Sequence, residues 1–399
     1  MSDFTTPTKA IITYSDSDWR LQSVLARPPG DHELHIRILA TGICHTDIVN
    51  VGGIYPRILG HEGAGRILRK GPNVSPDLDI GDPVLLSFAH CKECSMCVTG
   101  HPAHCMQQVP LTIAAEPLNF ALAESEGEGE GLEKDAEGRR RVVKAGYFGH
   151  SSFSGVAVVR ESSVVGVKQW IRSEEELKVF APLGCGIQTG ACAVVNILKP
   201  TPDDSIAVFG LGGVGLSAIM AAKALNLKTV IAIDILPNRL DLATSLGATH
   251  TINSNSLSPS QLTTSIQSLS PFTPTKATPV PPTGPTGIID TTGIPTLIQA
   301  ALASISRLGR VVQLANQGPG SSVSVALPEH MRDGVSLTGT VQGDADPVKS
   351  IPILIQWYRE GKLPLEKLEK MYPVEEFERA REEMNGGGVI KPVLIWPQD

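Results

Sequence analysis

The 399-residue sequence predicts an α/β protein with two domains, one rich in β-strands and one built on a doubly wound parallel sheet. Three observations support this fold class. The chain is longer than a single small core usually needs. Its first part contains short runs in which apolar and polar residues alternate, as in half-buried strands. From about residue 203 strand and helix patterns alternate, which indicates βαβ units and a parallel sheet.

The composition limits the classes of function. Hydrophobic residues make up 41% and charged residues 19% of the chain, as in ordinary soluble globular proteins. The net charge of −7 gives no basic surface for a nucleic acid. No apolar run approaches the roughly 20 residues that span a bilayer, and the polar segment Met1–Lys9 lacks the apolar part of a signal peptide. We therefore expect neither a nucleic-acid partner nor a membrane partner.

The predicted elements follow in chain order. Strands are expected at residues 9–14 and 33–39 and near Ile67, and a mobile surface loop at the charged, glycine-rich residues 124–141. The second half predicts strands at 205–209, 229–233, 287–290 and 310–314, a helix at 216–225, and a loop at 271–286, which contains six prolines. Helices at 351–360 and 375–384 and a strand at 391–396 complete the chain.

Four cysteines share one short stretch with the spacing C-x2-C-x2-C-x7-C; they are Cys91, Cys94, Cys97 and Cys105. Four thiolates that short loops bring together form a closed, structural zinc site. Unrelated cysteines or two disulfides are the alternative, but nothing else suggests a secreted disulfide scaffold. Thiolate ligands must stay reduced, so we expect a cytoplasmic protein.

A glycine-rich turn follows the strand at 205–209 and opens a helix. Its form is G-x-G-x-x-G, with Gly210, Gly212, Gly213, Val214 and Gly215 as the residues of interest. In this context the motif is typical of a Rossmann dinucleotide site, where the pyrophosphate sits at the helix N-terminus. Asp234 lies 19 residues beyond Gly215, where a carboxylate accepts hydrogen bonds from the ribose and repels a 2′-phosphate. NAD is therefore favoured over NADP, although Arg239 weakens the discrimination and Asp234 could be a plain surface acid.

Three further residues form a possible catalytic metal set. Cys44 lies in Gly-Ile-Cys-His-Thr-Asp, His61 in Gly-His-Glu-Gly-Ala-Gly, and Cys185 in Pro-Leu-Gly-Cys-Gly. Two thiolates and one imidazole make a zinc site whose fourth position is open. Read singly each residue is weak evidence, because a lone buried cysteine is more often part of a core.

Taken in order, these motifs resemble the zinc-dependent medium-chain alcohol dehydrogenases. The resemblance implies a GroES-like β-rich catalytic domain at 1–184, with a structural zinc lobe at 88–106, a Rossmann domain at 185–330, and a return to the first domain at 331–399. It implies two zinc ions per chain, NAD, an alcohol or aldehyde substrate, and a homodimer or homotetramer. A finer resemblance, to the aryl (benzyl) and allylic alcohol branch, rests on the segments 119–120, 147–154, 290–293 and 343–347.

The resemblance also implies roles for residues beside the metal. Thr46 would receive the alcohol proton, with a helix N-cap as the alternative, and His45 would contact the pyrophosphate unless it is an exposed loop histidine. Glu62 would sit behind the metal or exchange onto it, or merely orient its loop, and Asp47 would buttress His61. Val49 stands where many relatives have the histidine that ends the proton relay.

The remaining expectations concern the cofactor and the substrate. Val214 should pack behind the nicotinamide and Thr189 should lie near its carboxamide. Lys391 should contact the pyrophosphate, with an ordinary exposed lysine as the alternative. Phe153 and Ser87 are candidates for the substrate pocket, although an aromatic residue there is more often core.

Three functions compete with NAD-linked alcohol oxidation. One is a glutathione-adduct (formaldehyde) dehydrogenase, whose anionic substrate needs a basic pocket rim that the sequence does not reveal. Another is a non-redox zinc and NAD enzyme of specialised metabolism. The third, a binding protein without turnover, conflicts with the intact metal set and Thr46.

Overall fold

A computed structural model describes residues 4–49, 55–113, 117–123, 141–270, 284–315 and 317–398. The chain divides into two units. The first comprises Met1–Cys185, Asp346–Ile355 and Leu365–Asp399, and the second comprises Gly186–Ala345 and Gln356–Pro364. Most of the segments 124–141 and 271–286, for which the sequence predicts loops, lie outside the described residues.

The strands of the first unit form a barrel and a mixed sheet. They are β1 (Thr6–Ser15), β2 (Asp18–Ala26), β3 (Glu33–Gly42), β4 (Arg57–Ile58), β5 (Glu62–Lys70), β6 (Pro83–Leu86), β7 (Leu118–Leu122), β8 (Val142–Lys144), β9 (Val156–Arg160), β10 (Val164–Gly166), β17 (Glu369–Pro373) and β18 (Lys391–Ile395). The closed barrel has the order β1-β2-β7-β8-β4, and the sheet has the order β10-β6-β5-β3-β18-β17, with β9 also paired to β3.

The second unit is built on one parallel sheet with the order β13-β12-β11-β14-β15-β16. Its strands are β11 (Ser205–Phe209), β12 (Thr229–Asp234), β13 (His250–Asn253), β14 (Gly287–Asp290), β15 (Arg310–Gln313) and β16 (Ser336–Gly339). Its central strands are short, β-branched and buried on both faces, which is the composition that parallel sheets require.

Twelve α-helices lie within the described residues. They are α1 (His45–Val49), α2 (Ser95–Val98), α3 (Gln108–Thr112), α4 (Glu174–Val179), α5 (Gly186–Cys192), α6 (Gly213–Ala224), α7 (Pro237–Leu246), α8 (Pro259–Leu269), α9 (Pro295–Ser304), α10 (Leu327–Asp333), α11 (Pro347–Arg359) and α12 (Phe377–Asn385). Local sequence sets several ends. In α8, for example, Ser258 and Gln261 form a reciprocal capping box and Pro259 occupies the first turn.

The predicted fold class is confirmed. The two units differ from the expected domains in three places: Cys185 belongs to the first unit, Gln356–Pro364 belongs to the second, and the return to the first unit comes later than expected. The return to the first unit occurs at Asp346, whereas the sequence places it at residue 331. The reason is β16, which the sequence did not predict. It pairs in parallel with β15 and so keeps residues 331–345 in the second unit.

Candidate active site and metal centres

The four-cysteine lobe brings its sulfur atoms to one point. The Sγ atoms of Cys91 and Cys97 are 3.9 Å apart, and those of Cys94 and Cys105 are 4.0 Å apart. All four cysteines are free, and these separations exclude disulfides. A tetrahedron with Zn–S bonds of ~2.3 Å has S–S edges of ~3.8 Å, so the cage fits zinc.

Backbone N–H groups turn toward these sulfurs and favour their ionised form. Met106 N donates to Cys94 Sγ at 3.5 Å, and Cys91 N donates to Cys105 Sγ at 3.3 Å. The bond from Met106 is the main cause that lowers the pKa of Cys94 to about 6. Burial, by contrast, raises the pKa of Cys97 to about 12. Cys94 is therefore ready as a thiolate at neutral pH, and a metal would ionise Cys97.

The second cluster joins Cys44, His61, Glu62 and Cys185, whose ligand atoms all lie within 4.8 Å of one another. Every member is buried. Cys44 lies between β3 and α1, His61 directly precedes Glu62 at the start of β5, and Cys185 follows a short 3₁₀ turn. The structure thus brings the three predicted catalytic ligands to one point, together with Glu62.

Asp47 holds this cluster in place from behind. Its Oδ1 accepts a hydrogen bond from His61 Nδ1 at 2.9 Å and from Gly60 N at 3.1 Å, and its Oδ2 accepts from Cys44 N at 2.9 Å. With Nδ1 as donor, Nε2 of His61 carries the lone pair, and this buried atom has no hydrogen-bond partner among the described residues. An orphaned imidazole nitrogen beside two thiols is the donor set that zinc selects.

The charges of the cluster point the same way. A hydrogen bond from Cys185, followed by the positive charges of Lys391 and His61, holds the pKa of Cys44 well below its usual range. Burial works against a charged His61, but Asp47 and Cys44 outweigh it and raise the pKa of His61 well above its usual value. Without a cation the site therefore needs a proton to balance its thiolate, and a divalent ion supplies that positive charge directly.

Glu62 and Lys391 form a buried ion pair next to the cluster. Lys391 Nζ donates to Glu62 Oε1 at 2.9 Å and to the carbonyl of Ile43 at 3.2 Å, and it is 4% exposed. The alternative of an exposed lysine is therefore wrong, whereas contact of Lys391 with a pyrophosphate stays a prediction. Gly42 makes room for the carboxylate, because a Cβ there would lie 2.2 Å from Glu62 Oε2.

The other residues of the first motif lie on α1. Thr46 Oγ1 is 3.7 Å from Cys44 Sγ, close to the metal cluster. Thr46 lies within the helix, so the N-cap alternative is wrong. His45 is exposed, and Val49 is 59% exposed with no group that could carry a proton.

Two aromatic residues that the sequence analysis did not assign to the pocket lie against His61. The Phe148 ring stacks on His61 with a centroid distance of 4.2 Å, and the Tyr147 ring meets it edge-on at 5.5 Å. Phe148 has φ of 55°, an uncommon conformation for a bulky residue. Arg57 is buried over the Tyr147 ring at 4.7 Å, and no carboxylate of the described chain pairs with it. In the sequence, the two adjacent aromatic residues before Gly149 are the only local feature that could have pointed to this contact with His61.

Phe153 and Ser87, the two predicted pocket residues, support the site from behind. Phe153 is fully buried in the hydrophobic core, and its ring meets Phe377 edge-on at 5.6 Å. These contacts do not support the predicted role in the substrate pocket. The backbone of Phe153 lies directly against Gly60, because a Cβ on Gly60 would be only 2.5 Å from Phe153 N. Ser87 is also fully buried, and its hydroxyl donates to the carbonyl of Gly184 at 2.6 Å, directly before Cys185.

In the second unit, the glycine turn has the geometry that a dinucleotide needs. Gly210 has φ of 83°, and a Cβ on Gly215 would lie 1.9 Å from the carbonyl of Gly210. A Cβ on Gly212, by contrast, would meet nothing within 4 Å. Gly212 caps α6, which begins at Gly213, so open space lies at this helix N-terminus. The first and third glycines therefore close the turn, and the second leaves room for a phosphate.

The acid predicted to bind ribose also shapes this turn. Asp234 Oδ2 accepts from Leu211 N at 2.7 Å, and Oδ1 accepts from Ile235 N at 2.8 Å. Asp234 is buried, so it is not a plain surface acid, and Arg239 Nη1 lies 3.9 Å from its Oδ2. Thr189 donates to Gln342 Oε1 at 3.1 Å, and Val214 is half-buried in the first turn of α6.

None of the described helices combines the length and apolar character needed to cross a membrane.

Both parts of the chain match known protein families, and the whole chain has relatives of known activity. Residues 30–169 match the alcohol dehydrogenase GroES-like domain, and residues 213–360 match the zinc-binding dehydrogenase domain. Geraniol dehydrogenase of Castellaniella defragrans is 34% identical over 397 residues, 99% of each chain. S-(hydroxymethyl)glutathione dehydrogenase of Escherichia coli is 37% identical over 57% of this chain and 58% of its own length.

Solved structures agree over nearly the whole chain. Benzyl alcohol dehydrogenase of Acinetobacter calcoaceticus matches with a TM-score of 0.84 and 32% identity, covering 98% of this chain and 100% of that one. An alcohol dehydrogenase zinc-binding domain protein of Burkholderia ambifaria matches with a TM-score of 0.83 and 31% identity, covering 98% and 99%. With both metal clusters assembled and both domains matched, the chain belongs to the zinc-dependent medium-chain alcohol dehydrogenase family, in its aryl and allylic alcohol branch.

Proposed function

We propose that this protein transfers a hydride between NAD(H) and a primary alcohol or aldehyde whose reacting carbon is next to an aromatic ring or a double bond. The observation that carries the proposal is the buried set of Cys44, His61 and Cys185, in which His61 Nε2 faces no protein partner. Two thiolates and one imidazole would hold a zinc ion and leave a ligand position open to the substrate.

Cys44, His61 and Cys185 would hold the zinc ion, which, when bound, would supply Lewis-acid chemistry that lowers the pKa of an alcohol and polarises an aldehyde carbonyl. The chain's own residues do the rest. Thr46, whose hydroxyl lies 3.7 Å from Cys44 Sγ, takes the alcohol proton. Asp47 fixes the orientation of His61, and Ser87 holds the main chain before Cys185. Because Val49 cannot carry a proton, the proton leaves Thr46 through the cofactor ribose, a water or another side chain.

We assign NAD as the preferred cofactor. The open space at Gly212 lies at the N-terminus of α6, where a pyrophosphate binds favourably. The carboxylate of Asp234 stands next to this turn and would repel the 2′-phosphate of NADP. We assign the nicotinamide to the region of Val214 and Thr189 and further cofactor contacts to His45 and Lys391.

The substrate class follows from the rings beside the metal cluster. Phe148 stacks on His61 and keeps 7% of its surface exposed, whereas Tyr147 is fully buried beside it, so the Phe148 ring is the one that offers a flat apolar surface next to the reacting position. Offset stacking on such rings favours a planar aromatic or allylic group over a saturated chain. Geraniol is an allylic alcohol and benzyl alcohol an aromatic one, and the dehydrogenases named for them are relatives of this chain.

The test is the appearance of reduced nicotinamide when purified protein is mixed with NAD and cinnamyl alcohol. 3-Phenylpropanol, which has the same skeleton without the double bond, is the matched control, and we expect kcat/KM about tenfold lower for it. Thr46→Val should lower kcat by about a hundredfold or more, because its isosteric side chain cannot accept the proton. Thr46→Ser should restore most of the rate.

Two outcomes would contradict the proposed reaction, and a third would contradict the role of Thr46. Turnover of S-hydroxymethylglutathione alone would favour the glutathione-adduct reaction. Conversion of a metabolite with no change in nicotinamide absorbance would favour non-redox chemistry. Equal rates for Thr46→Val and Thr46→Ser would remove Thr46 from the proton path.

We further propose a cytoplasmic homo-oligomer, a dimer or tetramer. All seven cysteines are free, which suits a reducing compartment. Among the described residues β16 pairs with β15 alone, so its other edge is available to a strand of a second copy. Leu308 and Met331 of the same unit are 85% and 81% exposed, and apolar side chains of this kind favour burial in an interface. A monomer in equilibrium sedimentation would contradict this assignment.

A further inference from the structure

Glu369 is a half-buried residue whose carboxyl group is buried, and the proposed mechanism does not use it. It lies on β17 and pairs in parallel register with Lys391 on β18, so the two side chains share one face of the sheet. Both of its carboxyl oxygens are buried, and neither has a hydrogen-bond partner among the described residues. Natural proteins rarely leave a carboxyl group in this condition, so its presence calls for a role.

Lys391 connects this acid to the metal cluster. Its ammonium group has three donors, and two of its contacts are Glu62 Oε1 and the carbonyl of Ile43. Glu369 lies beyond ion-pair distance of Lys391, since the described ion pairs of Lys391 include only Glu62. The lysine therefore stands between two acids and is bonded to the one next to the metal.

The surroundings of Glu369 favour its neutral form. Burial raises its pKa well above the usual value, Glu366 adds to this, and the positive charge of Lys391 opposes it. An apolar side chain of similar size would avoid the cost of burying these two oxygens. Stability alone therefore does not explain a glutamate at this position.

Glu62 has a short path to the metal ligands. Its carboxylate oxygen is one of the four ligand atoms that lie within 4.8 Å of one another. Gly42, opposite Glu62 in the sheet, leaves the space in which this carboxylate lies. If Glu62 turned toward the metal, however, Lys391 would lose its only acidic partner within the described chain.

We propose that Glu369 is a positioning residue that accepts the ammonium group of Lys391 when Glu62 turns toward the catalytic metal. Lys391 then alternates between two carboxyl groups and keeps a partner in both positions. Removal of Glu369 would confine Lys391 to Glu62, and Glu62 would assist exchange of the metal and its ligands less readily. This inference rests on the metal site of the proposed function.

The test replaces zinc by cobalt in the full-length enzyme and follows release of the metal to a chelator. Cys44→Ala identifies which kinetic phase belongs to the catalytic site, because that phase is absent from it. We expect Glu369→Met to slow this phase by about fivefold or more. The same variant should keep or raise Tm, by about 2 °C, because it removes two unpartnered buried oxygens.

Two further variants make the result specific. Glu369→Gln keeps an oxygen that can accept from Lys391 and should release cobalt at a rate between those of wild type and Glu369→Met. In a Glu62→Gln background, Glu369→Met should change the rate by less than about twofold, because the coupled partner is gone.

An unchanged release rate, a lower Tm with normal release, or an equal slowing in the Glu62→Gln background would overturn the role of Glu369. The proposed function survives each of these results. If the phase that Cys44→Ala removes is missing from wild type as well, the metal site itself is wrong and both proposals fail.

Discussion

The four-cysteine lobe takes its ligands from one loop of fifteen residues, Cys91–Cys105, whereas the Cys44, His61 and Cys185 centre draws on three distant segments. The lobe is half-exposed, and backbone N–H groups of its own loop supply the bonds to its sulfurs. The centre is buried, and side chains from other elements hold it: Asp47 on His61, and Ser87 at the turn before Cys185.

This difference in ligand origin suits the lobe to stabilising the fold and the Cys44, His61 and Cys185 centre to chemistry. A ligand set that is local in sequence closes around its ion with few long-range contacts, and it uses all four positions for protein. A set assembled from separate strands depends on the whole first unit, which can hold an imidazole and two thiolates in place and leave one position for chemistry. A buried ion pair beside the ligands, Glu62 with Lys391, is present at the Cys44, His61 and Cys185 centre.

The largest expected effect comes from exchanging one ligand in each region. Cys44→Ala should lower kcat/KM by about a thousandfold or more, because it removes a ligand from the ion that activates the alcohol. Cys97→Ala should instead lower Tm, by about 5 °C or more, and leave kcat within about threefold in the cold. Zinc analysis should find one ion lost in each variant. Equal losses of activity in Cys44→Ala and Cys97→Ala would contradict the assignment of a catalytic role to one region and a structural role to the other.

A smaller effect is expected from the residue that supports the centre. Asp47→Asn keeps the shape but has one accepting oxygen instead of two and no charge, so it cannot accept from both His61 Nδ1 and Cys44 N and no longer stabilises the imidazole electrostatically. We expect kcat/KM to fall by about 10- to 100-fold, with the zinc of the lobe retained. Asp79→Asn, at an exposed acid of the same unit, is the matched control and should behave as wild type.

The smallest expected effect is a pH dependence of the free energy of unfolding, and it arises from His150, near the Cys44, His61 and Cys185 centre. Burial, followed by the charge of His61, lowers the pKa of His150 to about 3, and its Nε2 donates to the carbonyl of Ser87 at 3.0 Å. The unfolded chain takes up a proton there below pH ~6.5, whereas the folded chain does not until pH is near 3. Stability is therefore full above pH ~6.5 and declines toward acid, by at most about 1.4 kcal/mol per pH unit.

Urea unfolding near pH 7.5 and pH 5.5 measures this decline. His150→Gln can donate the same bond but has no proton to gain, so we expect it to lose less stability between the two pH values than wild type does. A parallel decline in both proteins would show that His150 contributes nothing to the acid sensitivity.

The parts of the site that the sequence predicted are those with local signals. Cysteine spacing led to the lobe, and the glycine pattern after a strand led to the turn at Gly210. Cys44, His61 and Cys185 needed a known family, since their proximity depends on how strands from distant segments pack. The sequence also led to most of the central strands, such as Ser205–Phe209, because their apolar runs are continuous.

The parts that it missed depend on tertiary contacts alone. The pairing of Lys391 with Glu62 joins residues 329 positions apart in the chain. Phe148 and Phe153 look alike in sequence and both belong to the hydrophobic core, yet Phe148 stacks on His61 whereas Phe153 meets Phe377 edge-on. No local sequence pattern distinguishes them, because these contacts join residues that are distant in the chain.

Gly60 limits how this enzyme can diversify. Any side chain at that position would collide with the backbone of Phe153, so the loop before His61 tolerates no replacement without a shift of the main chain. The rings at positions 147 and 148 are held by side-chain contacts, which can be remade by a compensating change nearby. New substrate ranges should therefore arise in evolution or in a selection experiment at these two positions, while position 60 stays fixed.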